Sequence, residues 1–431
     1  MKADYLGKVI EYFDPMQSLD ASFSEWYVER PDSPHDQLKV FLLNNRTDSK
    51  ILFSGHRGSG KTSALNKLVS DLEIKKHFFV VQFSIKDELN VADLTYTDLL
   101  IAMGHRLYEE ADKNVGVDEK LRADLDRWSA EVSRVRTTAD VAEVKVEGGI
   151  KAWFASATGL LKTGFEDKKE FRQKFEPRIP QLLEFIDRII RAVETSPKLD
   201  AREVLVILED LDKPTLDVAM DLFYIKGSVL VQPQCKIIFT VPTALLYSGK
   251  YNVVRESFNP QFVLPNFKIK EKSGVHNEAG WAKMREIGER RLDSRLIQSQ
   301  ALDFAVEMSG GVVREFVRIV QGAASRAVAL NANVIKLEHV ERTVQELRAE
   351  YSFSLTSDED FEILRQVQKT GQLRYKEKEP LLNLLHALFI LYYPDGEGWY
   401  GVNPIVYELI GIKKSPAGAA ANQRRGPGKN R

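Results

Sequence analysis

The chain has 431 residues, of which 43% are hydrophobic, and its 61 Lys plus Arg nearly cancel its 62 Asp plus Glu. That balance excludes a uniformly basic nucleic-acid coat and a highly charged chain unable to fold, and the length allows two to four domains with ample core. A single cysteine, Cys235, excludes an internal disulfide and makes a reducing, cytoplasmic compartment the expectation.

Residues 1–48 read as an N-terminal lead-in, with Pro31 and Pro34 marking a turn. The first fifteen residues lack the apolar core and cleavage site of a signal peptide. An apolar strand, Lys50–Ser54, then runs into Gly55, His56, Arg57, Gly58, Ser59, Gly60, Lys61, Thr62 and Ser63. Residues 55–62 meet every fixed position of the phosphate-binding loop G-x-x-x-x-G-K-[ST]. A helix over 63–72 follows, with Leu65, Leu68, Val69 and Leu72 on one face. Glycines let backbone N–H groups turn inward around phosphate oxygens, and the helix N-terminus adds its positive end. Lys61 is expected to reach the β- and γ-phosphates of ATP, and the Thr62 hydroxyl to coordinate Mg²⁺.

A second strand is predicted over 77–85. Residues 86–202 read as a mostly helical insertion, with Leu99, Leu100, Met103 and Leu107, then Ile179, Leu182, Leu183, Ile186 and Ile189, at helical spacing. Within it, residues 144–164 alternate in charge and then become apolar and glycine-punctuated. The expectation there is a hairpin and loop that packs on the domain or docks a partner or second subunit.

Residues 204–213 read Val-Leu-Val-Ile-Leu-Glu-Asp-Leu-Asp-Lys, a strand buried on both faces with acids at its C-terminal end, where ligands sit in open α/β sheets. One carboxylate is expected to hold Mg²⁺ and the next to orient or deprotonate the attacking water. Glu209 is assigned to the metal and Asp210 to the water, although their order, Glu before Asp, leaves open which does which. Asp212 is read as a brace. In the strand over 235–241, Thr240 is a polar residue positioned to meet the γ-phosphate or lytic water.

This order of motifs, continuing through Val254-Arg255-Glu256 and Ser309-Gly310-Gly311-Val312-Val313-Arg314, resembles the AAA+ ATPases of the origin-recognition and initiator branch. Glu209-Asp210-Leu211-Asp212-Lys213 also resembles the acidic strand of the bacterial STAND- and KAP-type NTPases. The resemblance covers residues 20–345. It implies that Arg314 contacts the γ-phosphate from a helical lid, that Arg255 reaches a neighbour's nucleotide, and that Tyr27 and Val28 pack the adenine. It further implies a nucleotide-dependent switch or assembly factor, with phage defence as one setting. A DNA-directed loader and an ATP-binding scaffold with little turnover are the competing readings.

The fold class expected is therefore α/β: a three-layer P-loop NTPase domain over residues 49–268, a helical lid over 269–350 and a winged-helix-like domain over 351–410. The last rests on two helices followed by two short strands around Pro394–Gly398. Asp395 and Glu397 at the hairpin tip would repel phosphate, so this module reads as a protein-interaction or autoinhibitory element. Residues 411–431 carry six basic residues and no acid, and are read as a disordered tail able to touch nucleic acid. The first 410 residues are then mildly acidic, with 55 basic against 62 acidic. Self-association or a protein partner is expected. Zinc is not, because the seven histidines are scattered. No apolar run reaches membrane-span length.

Overall fold

The computed structural model describes residues 2–132, 149–163, 167–373, 379–394, 396 and 398–412. Asp395, Glu397, the charged run 374–378 and the basic stretch 413–431 lie outside the described residues.

Five strands form one parallel sheet: β1 (Lys50–Ser54), β2 (Phe78–Ser84), β3 (Glu203–Glu209), β4 (Lys236–Val241) and β5 (Gln261–Val263), in the order β2-β3-β4-β1-β5. Continuous apolar runs suit strands covered on both faces. Along β3, Leu205 and Ile207 meet the layer that contains Leu65 and Leu68 of the helix Lys61–Ser70. Val204, Val206 and Leu208 meet the opposite layer, built from the helices Tyr96–Asn114 and Ile179–Glu194. The result is a three-layer α/β/α domain, with β4 lying between β1 and β3. The C-terminal ends of β1 and β3 thus flank one crevice.

The helical interval was legible in its flanks and not in its middle. Residues Gly149–Thr163 form a helix, not a hairpin and loop. Ile150, Trp153, Phe154, Ala157 and Leu161 are buried in the core of the sheet domain at helical spacing. Trp153 lies 5.0 Å from Trp128 and 5.6 Å from Phe175, ring centre to ring centre. The apolar stretch is spent on the chain's own core, and its glycines had masked the 3.6-residue period. Residues 144–148 and 164 lie outside the described residues.

Four helices, Glu278–Arg291, Ser299–Met308, Val313–Ala329 and Leu337–Ser352, make the lid. Its core also takes Ala3, Leu6, Val9 and Phe13 from the lead-in. Ala3 N donates to Arg291 O (2.8 Å) and Asp293 N to Ala3 O (2.9 Å). The lid joins the sheet domain at Gly311, where Phe267 N donates to Gly311 O (3.1 Å). Gly311 has φ +80°, and a Cβ there would sit 1.8 Å from the Phe267 carbonyl oxygen. Gly311→Ala should therefore destabilise the chain by about 2 kcal/mol or more. A urea midpoint equal to wild type would refute this.

The C-terminal module places the helices Asp358–Thr370 and Glu379–His386 before an antiparallel hairpin of β6 (Ile390–Tyr393) and β7 (Trp399–Val402). This is the winged-helix-like outline. Its core of Leu364, Leu381, Leu385, Ile390 and Val402 is continuous with Leu216 and Ala244 of the sheet domain. No helix among the described residues is long and apolar enough to cross a membrane.

Candidate nucleotide site

A cavity of about 530 Å³ opens at the C-terminal edge of the sheet. The P-loop, the acidic turn after β3, the lead-in and the lid all contribute to its wall. Gly58 (φ +78°) and Gly60 (φ +93°) take left-handed backbone conformations that favour glycine, which turns the loop into the N-terminus of the helix Lys61–Ser70. Gly58, Gly60, Lys61, Thr62 and Ser63 line the cavity. Gly55 follows β1, and Ser59 is buried.

Lys61 is buried and its ammonium is fully engaged. It donates to Gly55 O (2.8 Å) and His56 O (3.1 Å), and pairs with Asp212 Oδ2 at 2.9 Å. Burial would raise the Asp212 carboxyl, but Lys61 overrides that and holds it below the usual range. Asp212, read from sequence as a brace, is the direct partner of the P-loop lysine.

Glu209 and Asp210 part company at the end of β3. Glu209 is buried, and its Oε1 accepts from Gln82 Nε2 of β2 (2.7 Å). The Thr62 hydroxyl lies beside the same carboxylate, whose Oε2 is buried with no hydrogen-bond partner. Burial pushes the Glu209 carboxyl up. An orphaned carboxylate oxygen next to a hydroxyl is a donor set of the hard-oxygen type that suits Mg²⁺. Asp210 has φ +64°, an uncommon conformation that Asp tolerates better than most residues. Its Oδ2 accepts from Ser84 Oγ at 2.7 Å and faces Lys86 Nζ at 3.5 Å. Thr240 braces this turn: it donates to Leu208 O (3.1 Å) and accepts from Leu211 N (3.3 Å), on either side of the two acids. Its hydroxyl is thus committed to the protein backbone while its side chain lines the cavity.

Arg314 begins the lid helix Val313–Ala329 against the P-loop. Its N–H donates to Gly58 O (3.0 Å) and its Nε to Pro15 O (3.2 Å). Tyr27 and Val28 line the cavity with Trp26, Phe267 and Ile287. Arg255 does not join them: it is exposed on the helix Tyr251–Ser257.

Sequence reasoning missed Gln82, Arg30 and Arg291. Gln82 had the same signal as Thr240, a polar residue inside an apolar strand. Arg30 stacks 4.6 Å from the Phe267 ring centre and donates to Ser59 O. Arg291 packs over Trp26 (5.4 Å) and donates to Tyr12 O (3.3 Å). Burial lowers both guanidiniums to about 10, and among the described residues neither pairs with a carboxylate. They give that end of the cavity a positive field suited to an anionic ligand.

The strand order, the P-loop after β1, the acids after β3 and the helical lid together define a three-layer P-loop NTPase fold. No protein-family model matches this chain, and no curated protein matches its sequence. Among solved structures, the chain is similar to the Aeropyrum pernix ORC2 protein in ADPNP–ADP complexes, at 12% identity over 93% of this chain and 96% of that one, with a TM-score of 0.42. It is similar to Cdc6p from Pyrobaculum aerophilum at 12% identity over 93% and 97%, with a TM-score of 0.41. It is also similar to the RuvB Holliday junction branch migration motor of Thermotoga maritima at 12% identity over 93% and 100%, with a TM-score of 0.36.

Proposed function

We propose that this chain binds ATP with Mg²⁺ in the 530 Å³ cavity, hydrolyses it, and works in the cytoplasm as a nucleotide-dependent switch or assembly factor. The observation that carries the reading is the buried, unpartnered Glu209 Oε2 beside Thr62, on the wall that also holds Lys61 and Asp210.

The backbone N–H groups of residues 58–63 cradle the phosphates, and Lys61 exchanges Asp212 for phosphate oxygens. Thr62 and Glu209 hold Mg²⁺, which supplies charge neutralisation at the phosphates when bound. Asp210, tied down by Ser84, orients the attacking water and accepts its proton. Thr240 keeps the two acids in register by fixing the backbone around them. Arg314 meets the γ-phosphate from the lid side, and Tyr27 and Val28 take the base with Phe267. Arg255, exposed, is assigned to self-association, where it completes a neighbour's site.

Two substitutions separate the acids. Asp210→Asn should retain ATP binding and lower turnover about 100-fold or more. Glu209→Gln should weaken the Mg²⁺ dependence of ATP binding. The checks are a phosphate-release assay and titration of a fluorescent ATP analogue with and without Mg²⁺. Normal turnover in Asp210→Asn would overturn its role. Tight ATP binding without measurable wild-type turnover would favour the scaffold reading.

A further inference from the structure

The middle of the P-loop is not free. His56 and Arg57, two of its variable positions, both point away from the cradle and into the C-terminal module. His56 is buried, and its Nε2 accepts from the backbone N–H of Tyr392 on β6 at 2.7 Å. Arg57 donates to Asp212 O (3.0 Å), Lys213 O (2.7 Å) and Pro214 O (3.2 Å), and its Nη2 meets His386 Nε2 at 2.6 Å, a ring nitrogen that also lies 3.0 Å from Pro214 O. His386 ends the helix Glu379–His386. Two polar contacts, His56–Tyr392 and Arg57–His386, therefore join the module to adjacent residues of the P-loop.

The same few residues serve these contacts and the phosphate-facing lysine. Asp212 holds Lys61 with its carboxylate and Arg57 with its carbonyl. His56 offers its carbonyl to Lys61 and its ring to Tyr392. Phosphate oxygens drawing Lys61 away from Asp212 and the His56 carbonyl would act on both P-loop contacts of the module at once. A ligand shifts such an equilibrium only by its differential affinity for the two arrangements, and here the competing partners of Lys61 supply that difference.

We propose that the C-terminal module reads the nucleotide state through Arg57–His386 and His56–Tyr392, and that ATP at the P-loop weakens its docking. This rests on the nucleotide reading given above. Docking buries the rings of Tyr392 and Tyr400 beside Tyr247 of the sheet domain, at 4.4 and 6.0 Å, so release presents an aromatic surface on both bodies. His386 and the Tyr392 backbone are positioning groups for the loop and do not touch the nucleotide.

Linkage is reciprocal: if ATP loosens the module, loosening the module must tighten ATP. The test compares wild type, His386→Ala and His386→Gln as full chains. Affinity for N-methylanthraniloyl-ATP with Mg²⁺ is measured alongside hydrogen–deuterium exchange in residues 379–402. His386→Ala should bind the analogue about 5-fold or more tightly than wild type. Its hairpin should exchange faster without nucleotide, as the wild-type hairpin should once ATP is added. His386→Gln retains an acceptor for Arg57 and should behave as wild type. Equal affinities in wild type and His386→Ala, or a wild-type hairpin indifferent to ATP, overturn the coupling and leave the nucleotide reading intact. Failure of both proteins to bind the analogue sinks the nucleotide reading and the coupling with it.

Discussion

Lys61→Ala should lose measurable ATP binding, with affinity falling at least about 100-fold. Two effects add. The ammonium that neutralises the β- and γ-phosphates is gone, and Asp212 is left buried without its 2.9 Å partner. An unpaired buried carboxylate is costly, so the variant should also be less stable or should take up a proton on Asp212. The double substitution Lys61→Ala with Asp212→Asn separates these effects, since it relieves the stranded charge but restores no phosphate contact. Calorimetric titration with ATP and Mg²⁺ checks the first effect, and urea unfolding checks the second. Wild-type ATP affinity in Lys61→Ala would remove the basis for the site.

Mild acid should loosen the same region. Burial, helped by Lys61, pushes the His56 imidazole down to about 3, and burial with Arg57 nearby pushes His386 down to about 4. Both native values lie below the ordinary histidine value of 6.5, so the unfolded chain binds more protons between them. Their contribution to stability is complete above pH 6.5 and is lost as pH falls toward the native values. The expected loss is roughly 1 kcal/mol per pH unit for each histidine. Groups around them matter too. Asp212 faces His386, and the raised carboxyls of Glu209 and Glu315 oppose the trend by taking up protons in the folded state. The histidine window therefore opens at pH 6.5 and runs downward towards the native values. Thermal unfolding across it should show a falling midpoint, and His386→Gln should flatten the slope. A midpoint independent of pH in that window would refute the assignment.

The parts of this molecule that announced themselves in sequence are those whose physics is local. The P-loop requires glycine at positions of positive φ, and Gly58 and Gly60 stand there. Strands β1, β3 and β4 are buried on both faces and read as unbroken apolar runs. The hairpin of β6 and β7 was visible from its aromatic strands and the glycine-rich turn between them. What stayed hidden depends on distant partners. The contacts of Arg57 with His386 and of His56 with Tyr392 join residues 329 and 336 positions apart. No spacing rule marks either histidine, because His56 sits at a position the motif leaves free. The Lys61–Asp212 pair was hidden for a related reason: sequence placed both near the phosphates and could not say that they meet. The insertion misled because glycines in 149–163 look like loop punctuation until Trp153 and Phe154 are seen in the core.

The lead-in ties two bodies together over a short span. Phe13 is buried in the lid core, and Leu19 is pinned to the P-loop helix by bonds to Ser63 Oγ and Asn66 Nδ2, both 2.9 Å. Residues 14–19 cross the cavity wall between those anchors. Six steps of extended chain reach roughly 20 Å at most. However the lid swings, its separation from the P-loop helix is capped by this leash for as long as both anchors hold.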